Sequence, residues 1–331
     1  MAGRRILITG ISSYLGTELA RRLETDPEVE YVAGLDDRPP RASLERTDFI
    51  EADIRNPVIG KLIPQAEVDT IVHNKIVRRP GPRMSSRAMH DINVIGSLQL
   101  LAAAEKAGSV RAIVIRGSAG IYGAEPAAPQ FFTEDMSRLY PLRTRFQRDV
   151  LEIENLFGTY AGRHSSVVCT MLRYQPTIGP SVDTQVTRYL SLPLVPTYLG
   201  FDPRVQFVHE ADAQDALVAA TKNPVRGAVN VAAPGTVGLT RLIRRAGKVS
   251  LPVASPLFGT AVAAGRRVGM TSLSPDFRRL LRYGRAVDVT RLAKEVGFEP
   301  RFGMDAAVED YLSTEDGRRL IPSLRRVVAP R

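Results

Sequence analysis

The sequence has no tryptophan and a single cysteine, Cys169, among its 331 residues. One thiol excludes an internal disulfide and a cysteine-based zinc cluster. It sits in an apolar segment, VVCTMLR, where it reads as part of the core. Long hydrophobic runs are also missing: no apolar stretch reaches the roughly 18–20 residues that span a bilayer. The N-terminus, MAGRRILITG, lacks the extended apolar segment of a secretory signal. These absences predict a cytoplasmic protein without a metal site. Acidic residues are outnumbered, 35 Asp and Glu against 45 Lys and Arg, for a net charge of +10. Such a surplus suits nucleic acid or an anionic membrane. The arginines are dispersed, however, in Arg21-Arg22, Arg78-Arg79, Arg266-Arg267, Arg278-Arg279 and Arg318-Arg319, with no aromatic-interleaved strand motif or zinc finger beside them. Nucleic acid is therefore not the expected partner. An arginine-rich composition or an anionic cofactor explains the charge more simply.

What is present has the balance of a globular chain, 44% hydrophobic and 24% charged. This length buries one large core, or a main domain with a smaller one beside it. ILIT (6–9), YVAGLD (31–36), DFIEAD (48–53), TIVH (70–73), AIVIR (112–116) and VVCTMLR (167–173) read as strands. Helices are expected from about Leu15 to Glu24, Ser85 to Lys106 and Phe146 to Tyr160. In the second, Ile92, Ile95, Leu98 and Leu101 recur at spacing three. Strands alternating with helices predict βαβ units, hence an α/β chain with a Rossmann-type, doubly wound parallel sheet. Prolines and glycines crowd 176–203 and 234–256. Between them VQFVHEADAQDALVAAT predicts one more strand and helix of the sheet domain. The expected division is a Rossmann domain, 1–175 plus 203–232, and a smaller C-terminal α+β substrate domain, 176–202 plus 233–331.

The segment RILITGISSYLG joins the first strand to the first helix. In a parallel sheet such turns lie at the C-terminal ends of the strands, where a helix N-terminus attracts an anion. Gly10 permits the tight turn, and Gly16 lets the helix close on the sheet. Asp36 ends the second strand, 20 residues past Gly16. A carboxylate there accepts hydrogen bonds from both adenosine ribose hydroxyls. Its charge also repels a 2′-phosphate, so NAD is favoured over NADP, although Arg38 leaves room for the latter. A solvated loop acid is the alternative for Asp36.

These features resemble the extended short-chain dehydrogenase/reductase family, the NAD-dependent epimerase/dehydratase group. Its TGxxGxxG reads TGISSYLG, with Ser13 at the middle glycine. ADIRNP is similar to its adenine motif, and the resemblance puts Asp53 beside the adenine amino group. NVIGSLQLL (93–101), GSAGIYG (117–123), LRYQPTIGP (172–180), FVHEADA (207–213) and DVTRLAKEVGFEP (288–300) follow in the family's order, so the likeness covers most of the chain. It is strongest to actinobacterial proteins often labelled UDP-glucose 4-epimerase-like. It implies an NAD cleft drawn from Gly10, Ser12, Ser13, Tyr14, Leu15, Gly16, Asp36, Asp37, Arg38, Asp53, Ile54, His73, Asn74, Lys75 and Asn93. Within that set His73 also has a structural reading, and Asn93 supports the active-site backbone from behind. The resemblance further implies a homodimer through segments 85–106 and 144–160.

In the family a tyrosine accepts the carbinol proton. A lysine four residues later lowers its pKa and holds the ribose, and a serine or threonine binds the substrate oxygen. Ser118 fills the last place. Aligning RFQRDVLEIE on the YxxxKxxxE pattern, with Glu154 as the glutamate, puts Phe146 at the tyrosine and Val150 at the lysine. Phenylalanine has no hydroxyl to exchange a proton, and valine no charge to tune one. General acid–base help of this kind is worth roughly 100- to 10,000-fold in rate. Tyr140 and Lys75 are the substitutes at hand, although Thr144 follows Tyr140 at the lysine spacing. Lys75 lies in HNKI, where the family carries small residues. It contacts the diphosphate, stands in for the lysine, occludes the nicotinamide pocket, or turns to solvent. The sugar-nucleotide anchors are altered too: the asparagine of LRxxNxxGP falls on Pro176, and the arginine of RDFVHV on Val205, beside Arg204.

Two readings stay open, with the small-molecule substrate unidentified in either. One is an NAD-linked dehydrogenase, reductase or epimerase with a changed proton path around Ser118, its substrate pocket made apolar by LPVASPLFGTAVAAG (251–265). The other is a cofactor-binding protein without turnover, a redox sensor or scaffold. In that reading RRLIPSLRRVVAPR (318–331) is a docking element for a partner or an anionic lipid surface.

Overall fold

The computed structural model describes residues 3–78, 84–129, 131–136, 140–192, 194–265 and 273–313. The first apolar run forms β1 (Arg4–Thr9), and a glycine turn leads to α1 (Tyr14–Glu24), β2 (Val29–Asp36), β3 (Thr47–Glu51), α2 (Ile59–Gln65) and β4 (Thr70–His73). A long helix follows, built from α3 (Ser86–His90), a π segment (Asp91–Ile95) and α4 (Gly96–Ala107). It ends at Gly108, which is left-handed with φ of 68°. Next come β5 (Ala112–Arg116), α5 (Arg145–Arg163) and β6 (Val168–Tyr174). Then short strands β7 (Thr177–Ile178), β8 (Leu194–Tyr198), β9 (Arg204–Val205) and β10 (Val208–His209) appear, with α6 (Gln185–Leu190) after the first. The chain continues through α7 (Glu210–Lys222), β11 (Gly227–Val231), β12 (Val237–Gly238), α8 (Leu239–Arg245), β13 (Val249–Val253), α9 (Ser255–Gly265), α10 (Pro275–Tyr283) and α11 (Met304–Ser313).

Seven strands form one sheet in the order β11-β6-β5-β4-β1-β2-β3, every neighbouring pair parallel. Alternate side chains serve opposite faces, the period-two rule of a strand. Leu7, Ile71, Ile113 and Ile115 pack with Leu100 and Leu101 of α4 and Ile153 and Phe157 of α5. Ile6, Ile8, Val72 and Val114 pack with Leu15 and Leu19 of α1 and Ala213 and Leu217 of α7. This is the doubly wound α/β architecture expected. Strand order reverses between β1 and β4, and the crevice outside that reversal is where such sheets bind ligands.

Two details differ from expectation. The helical stretch expected over 85–106 contains the π segment, and His90, Asn93 and Ser97 along it meet polar partners. The segment 205–209, expected as a strand of the main sheet, instead makes β9 and β10, which pair with β12 and β7 in separate small sheets. The seventh main strand is β11, beside β6. The crossover from β6 to its parallel neighbour is closed by α7, and 205–209 only returns the chain to the start of that helix. The C-terminal elements have a core of their own, including Ile178, Tyr189, Leu190, Leu242, Phe277 and Val308. Among the described residues no helix is long and apolar enough to cross a membrane.

Candidate functional site

Three backbone segments meet at the strand reversal: the end of β1, the first turn of α1, and the loop after β4. Gly10 has φ of 74°, a region L side chains avoid. A Cβ there would stand 2.6 Å from the backbone nitrogen of Lys75. On Gly16 it would overlap the Gly10 carbonyl oxygen and lie 2.7 Å from Cα of Ile11. Ser13 is the N-cap of α1. Its hydroxyl is turned into the junction, donating to the Gly10 carbonyl at 2.9 Å and accepting from the Gly16 N–H at 3.1 Å and Asn74 Nδ2 at 2.6 Å. The first amides of α1 have no intrahelical acceptor, which makes this end an anion site.

Asp36 closes β2 and is 3% exposed. Its Oδ2 accepts from the Ser12 N–H at 3.0 Å, and Oδ1 from the Asp37 N–H at 2.9 Å. The Lys75 ammonium completes this shell, bonding Asp36 Oδ1 and, at 2.5 Å, Asp37 Oδ1. Burial pushes the Asp37 carboxyl up, but hydrogen bonds with Asp36 and Lys75 and the charges of Lys75 and Arg38 prevail, holding it at about 2. The expectations for Lys75 were the diphosphate, the lysine position, the nicotinamide pocket or solvent. Its side chain, 12% exposed, runs instead along the sheet edge to β2, where it bonds both adjacent carboxylates.

A cleft of about 390 Å³ spans this edge, lined by Gly10, Ser12, Asp36, Arg41, Asn74 and Arg116 among others. Arg38 borders it too; its side chain is largely exposed and its carbonyl accepts from Ser12 Oγ. The Arg116 Nε is buried without a hydrogen-bond partner. One carboxylate at the end of β2, a helix N-terminus, a crevice that glycines keep open and an orphaned guanidinium nitrogen fit an adenine dinucleotide.

The remaining residues expected around the cofactor divide. Asp53 is bonded by Arg55 through Nε and Nη2, both at 2.8 Å. Those bonds hold its carboxyl below the usual range. Tyr14 donates to Glu210 at 3.3 Å, and burial followed by the Glu210 charge pushes its phenol up. Three others are placed in the interior rather than at the cleft. Leu15 packs in the core under α1, and Ile54 in the core beneath Gly96, where a Cβ would meet it at 2.5 Å. His73 is enclosed between Thr9 Oγ1 at 2.7 Å and Ser97 Oγ at 2.9 Å, and burial pulls its pKa down to about 4. Asn93 clasps the loop after β4 through both backbone groups of Val77 and bonds Asp149 at 3.1 Å.

Past Arg116 the chain reaches Ser118, whose hydroxyl accepts from the Gly120 N–H at 3.2 Å and caps a short 3-10 turn. Phe146 is half-buried, with the Arg78 guanidinium 6.0 Å from its ring centre. Val150 is core. Gln147 crosses to the Ser118 turn, donating to the Gly120 carbonyl at 2.8 Å and to Asp276 at 3.1 Å. Arg285 reaches the same Asp276 oxygen at 3.3 Å. Glu125 is held by Arg279 and, at 3.3 Å, by Arg143. Tyr140 borders a cavity within this network of only about 10 Å³, room for about one water. The described side chains of the segment expected to make an apolar substrate pocket, 251–260, line neither cavity. Its Leu251 and Leu257 are exposed, and Phe258 stacks on Tyr198 at 3.7 Å.

A family model described as the NAD dependent epimerase/dehydratase family matches residues 6–232. The chain belongs to that family. An uncharacterized protein of Mycobacterium tuberculosis is 38% identical over 323 residues, covering 96% of this chain and 85% of the relative. Among solved structures the chain is similar to MoeE5 in complex with UDP-glucuronic acid and NAD, with TM-score 0.71, 19% identity and coverage of 93% and 98%. It is also similar to UDP-glucose-4-epimerase from Stenotrophomonas maltophila with bound NAD and formylated UDP-arabinopyranose, with TM-score 0.72, 18% identity and coverage of 98% and 100%. At these identities what is shared is the fold.

Glu154 forms a two-pronged pair with Arg173 of β6, at 3.1 and 2.7 Å. Pro176 follows β6, Val205 is buried, and Arg204 points away to Thr236 at 3.5 Å. Three residues at the site went unread in the sequence. Arg116 left a signal, a lone cation ending an apolar strand. Gln147 and Asp276 left none, because their meeting joins positions 129 residues apart.

Proposed function

We propose that this chain binds NAD(H) in the cleft, with NADP less favoured, and that its redox turnover is weak, altered or absent. In this reading the adenosine ribose takes Asp36 in exchange for Lys75, the diphosphate meets the N-terminus of α1, and Asp53 faces the adenine. The observation that carries it is the contrast between the two halves of the site. A cleft of about 390 Å³ keeps its glycine turn and acid, whereas the cavity bordered by Tyr122, Tyr140 and Gln147 holds only about 10 Å³. By the family resemblance, Phe146 and Val150 stand there in place of the tyrosine and lysine. Such a protein reports on or responds to the cofactor, as a redox sensor or scaffold, rather than consuming a sugar nucleotide.

A second reading, an active oxidoreductase or epimerase on a hydrophobic or sugar-derived carbinol, draws support from Asp276. A Cβ position on Gly120 lies 3.1 Å from Ser118 Oγ and 3.4 Å from Asp276 Oδ2. A carboxylate oxygen thus borders the same point as the serine hydroxyl, without bonding it, on the side where a proton acceptor is needed. Calorimetric titration of NAD, NADH and NADP, with nicotinamide reduction followed over a panel of alcohols and sugar nucleotides, separates the readings. Binding without turnover supports the first. Turnover abolished by Asp276→Asn supports the second. NADP binding as tightly as NAD removes the role given to Asp36, and binding of none removes the site.

The proposal extends to a cytoplasmic homodimer with no nucleic-acid partner and the two-domain division given above. Ile95 and Leu98 on the long helix, 40% and 47% exposed, support the dimer face. The basic segment 318–331, read as a docking element, lies outside the described residues.

A further inference from the structure

Two neighbouring strands of the sheet carry an arginine near their C-terminal ends, and the two are treated differently. Arg173 of β6 is matched by Glu154 through two bonds and accepted by the Glu134 carbonyl at 3.1 Å. Arg116 of β5 has no such match. Among the described residues no carboxylate pairs with it, its Nε is buried and unbonded, and its Nη1 reaches only Asn74 Oδ1 at 3.3 Å. Burial works against its charge. A buried donor left unbonded is destabilising, and the Asn74 contact through Nη1 leaves Nε unmatched. Two arginines of α10, Arg278 and Arg282, also have an unbonded Nε. Neither borders the cleft, and Arg282 lies over the rings of Tyr198, Phe201 and Tyr283.

Asn74 links Arg116 to the helix terminus. It accepts from the guanidinium through Oδ1 and donates from Nδ2 to Ser13 Oγ at 2.6 Å and to the Gly10 carbonyl at 3.1 Å. One side chain therefore separates the cation from the cap of α1, and both border the same cleft. A helix N-terminus suits one phosphate, and a planar guanidinium suits another. We propose that Arg116 is a diphosphate-binding residue of the cleft, kept unpaired in the free protein to receive the anion. This rests on the cofactor reading above and names a residue that reading does not require.

Adenosine, which lacks phosphate, and ADP-ribose, which carries the diphosphate, are the probes. They are titrated calorimetrically into wild type, Arg116→Met and Arg116→Lys, and the thermal midpoint of each protein is recorded. The expected result is at least tenfold weaker ADP-ribose binding by Arg116→Met, adenosine binding within twofold of wild type, and partial recovery in Arg116→Lys. The Arg116→Met midpoint stays equal or rises, because a buried donor without a partner is gone. Unchanged ADP-ribose affinity in Arg116→Met overturns the inference while leaving the cofactor reading intact. So does a lowered midpoint with both ligands weakened alike, which marks a structural arginine. Wild type that binds neither probe overturns the cofactor reading and the inference with it.

Discussion

The pairing of Lys75 with Asp36 makes a prediction whose sign is unusual: removing a cation from an anion-binding cleft should tighten part of the ligand. The Lys75 ammonium holds Asp36 Oδ1, with Asp37 sharing it at 2.5 Å. A ribose hydroxyl that donates to Asp36 Oδ1 competes with it. A hydrogen bond to a charged group contributes about 1.5–3 kcal/mol, and the partial exposure of Asp37 places the pair toward the lower end. Since each tenfold in affinity is about 1.4 kcal/mol, Lys75→Met should tighten adenosine by roughly tenfold. NAD should gain less, because its diphosphate loses a nearby positive charge. The same substitution leaves Asp36 and Asp37 facing one another, so the ligand-free protein should lose about 1–3 kcal/mol of stability, the range for removing one member of a partly buried pair. Calorimetry with adenosine and NAD, beside equilibrium unfolding in urea, measures both quantities. Adenosine affinity that is unchanged or weaker in a folded Lys75→Met protein refutes the competition.

Further predictions concern the interior and the chemistry. Burial lowers the His73 pKa to about 4, against about 6.5 in an unfolded chain. Its contribution is thus present above pH 6.5 and is lost as pH falls through 4, roughly 3 kcal/mol in full. Unfolding free energies measured between pH 7 and pH 4 should decline less steeply, by about that amount, in His73→Gln. Phe146→Tyr with Val150→Lys should raise nicotinamide reduction above wild type if the missing pair limits turnover; equal rates would show that it does not. Gly16→Ala puts a Cβ into the Gly10 carbonyl and within 2.7 Å of Ile11, backbone that no rotamer change can clear. It should cost at least about 1–3 kcal/mol and abolish calorimetric binding of NAD, and a normal thermal midpoint with normal binding would contradict it.

The sequence revealed those parts of the architecture whose causes are local. ILIT, TIVH and AIVIR became strands because short apolar runs bounded by turns have few other solutions. The glycine turn was legible because Gly10 has a backbone requirement that only its residue type relieves. Asp36 was legible by its distance from that turn. What stayed hidden depends on which partner a side chain finds. VQFV reads as a central strand, yet the choice between β11 and this segment as neighbour of β6 is made by the crossover through α7, not by hydrophobicity. Lys75 carries no mark in HNKI saying that it will turn toward β2; that follows from an Asp36–Asp37 pair 39 residues away. His73 and Ile54 stand next to cofactor-motif positions, but strand alternation and the packing against Gly96 send both inward.

The distribution of satisfied and unsatisfied polar groups separates the two ends of the site. Around Ser118 the charged residues complete one another: Glu125 with Arg143 and Arg279, and Asp276 with Gln147 and Arg285. A network closed on itself holds a shape and has little capacity left for a ligand. At the glycine turn the situation is reversed. Arg116 keeps a buried nitrogen unbonded, and Asp36 is neutralised by a lysine that a hydroxyl donor can replace. Buried polar groups without fixed partners need a cause; a bound dinucleotide supplies one for Arg116, whereas Arg278 and Arg282 of α10, also with an unbonded Nε, do not border the cleft. The same contrast is what the proposed binding of cofactor without turnover requires.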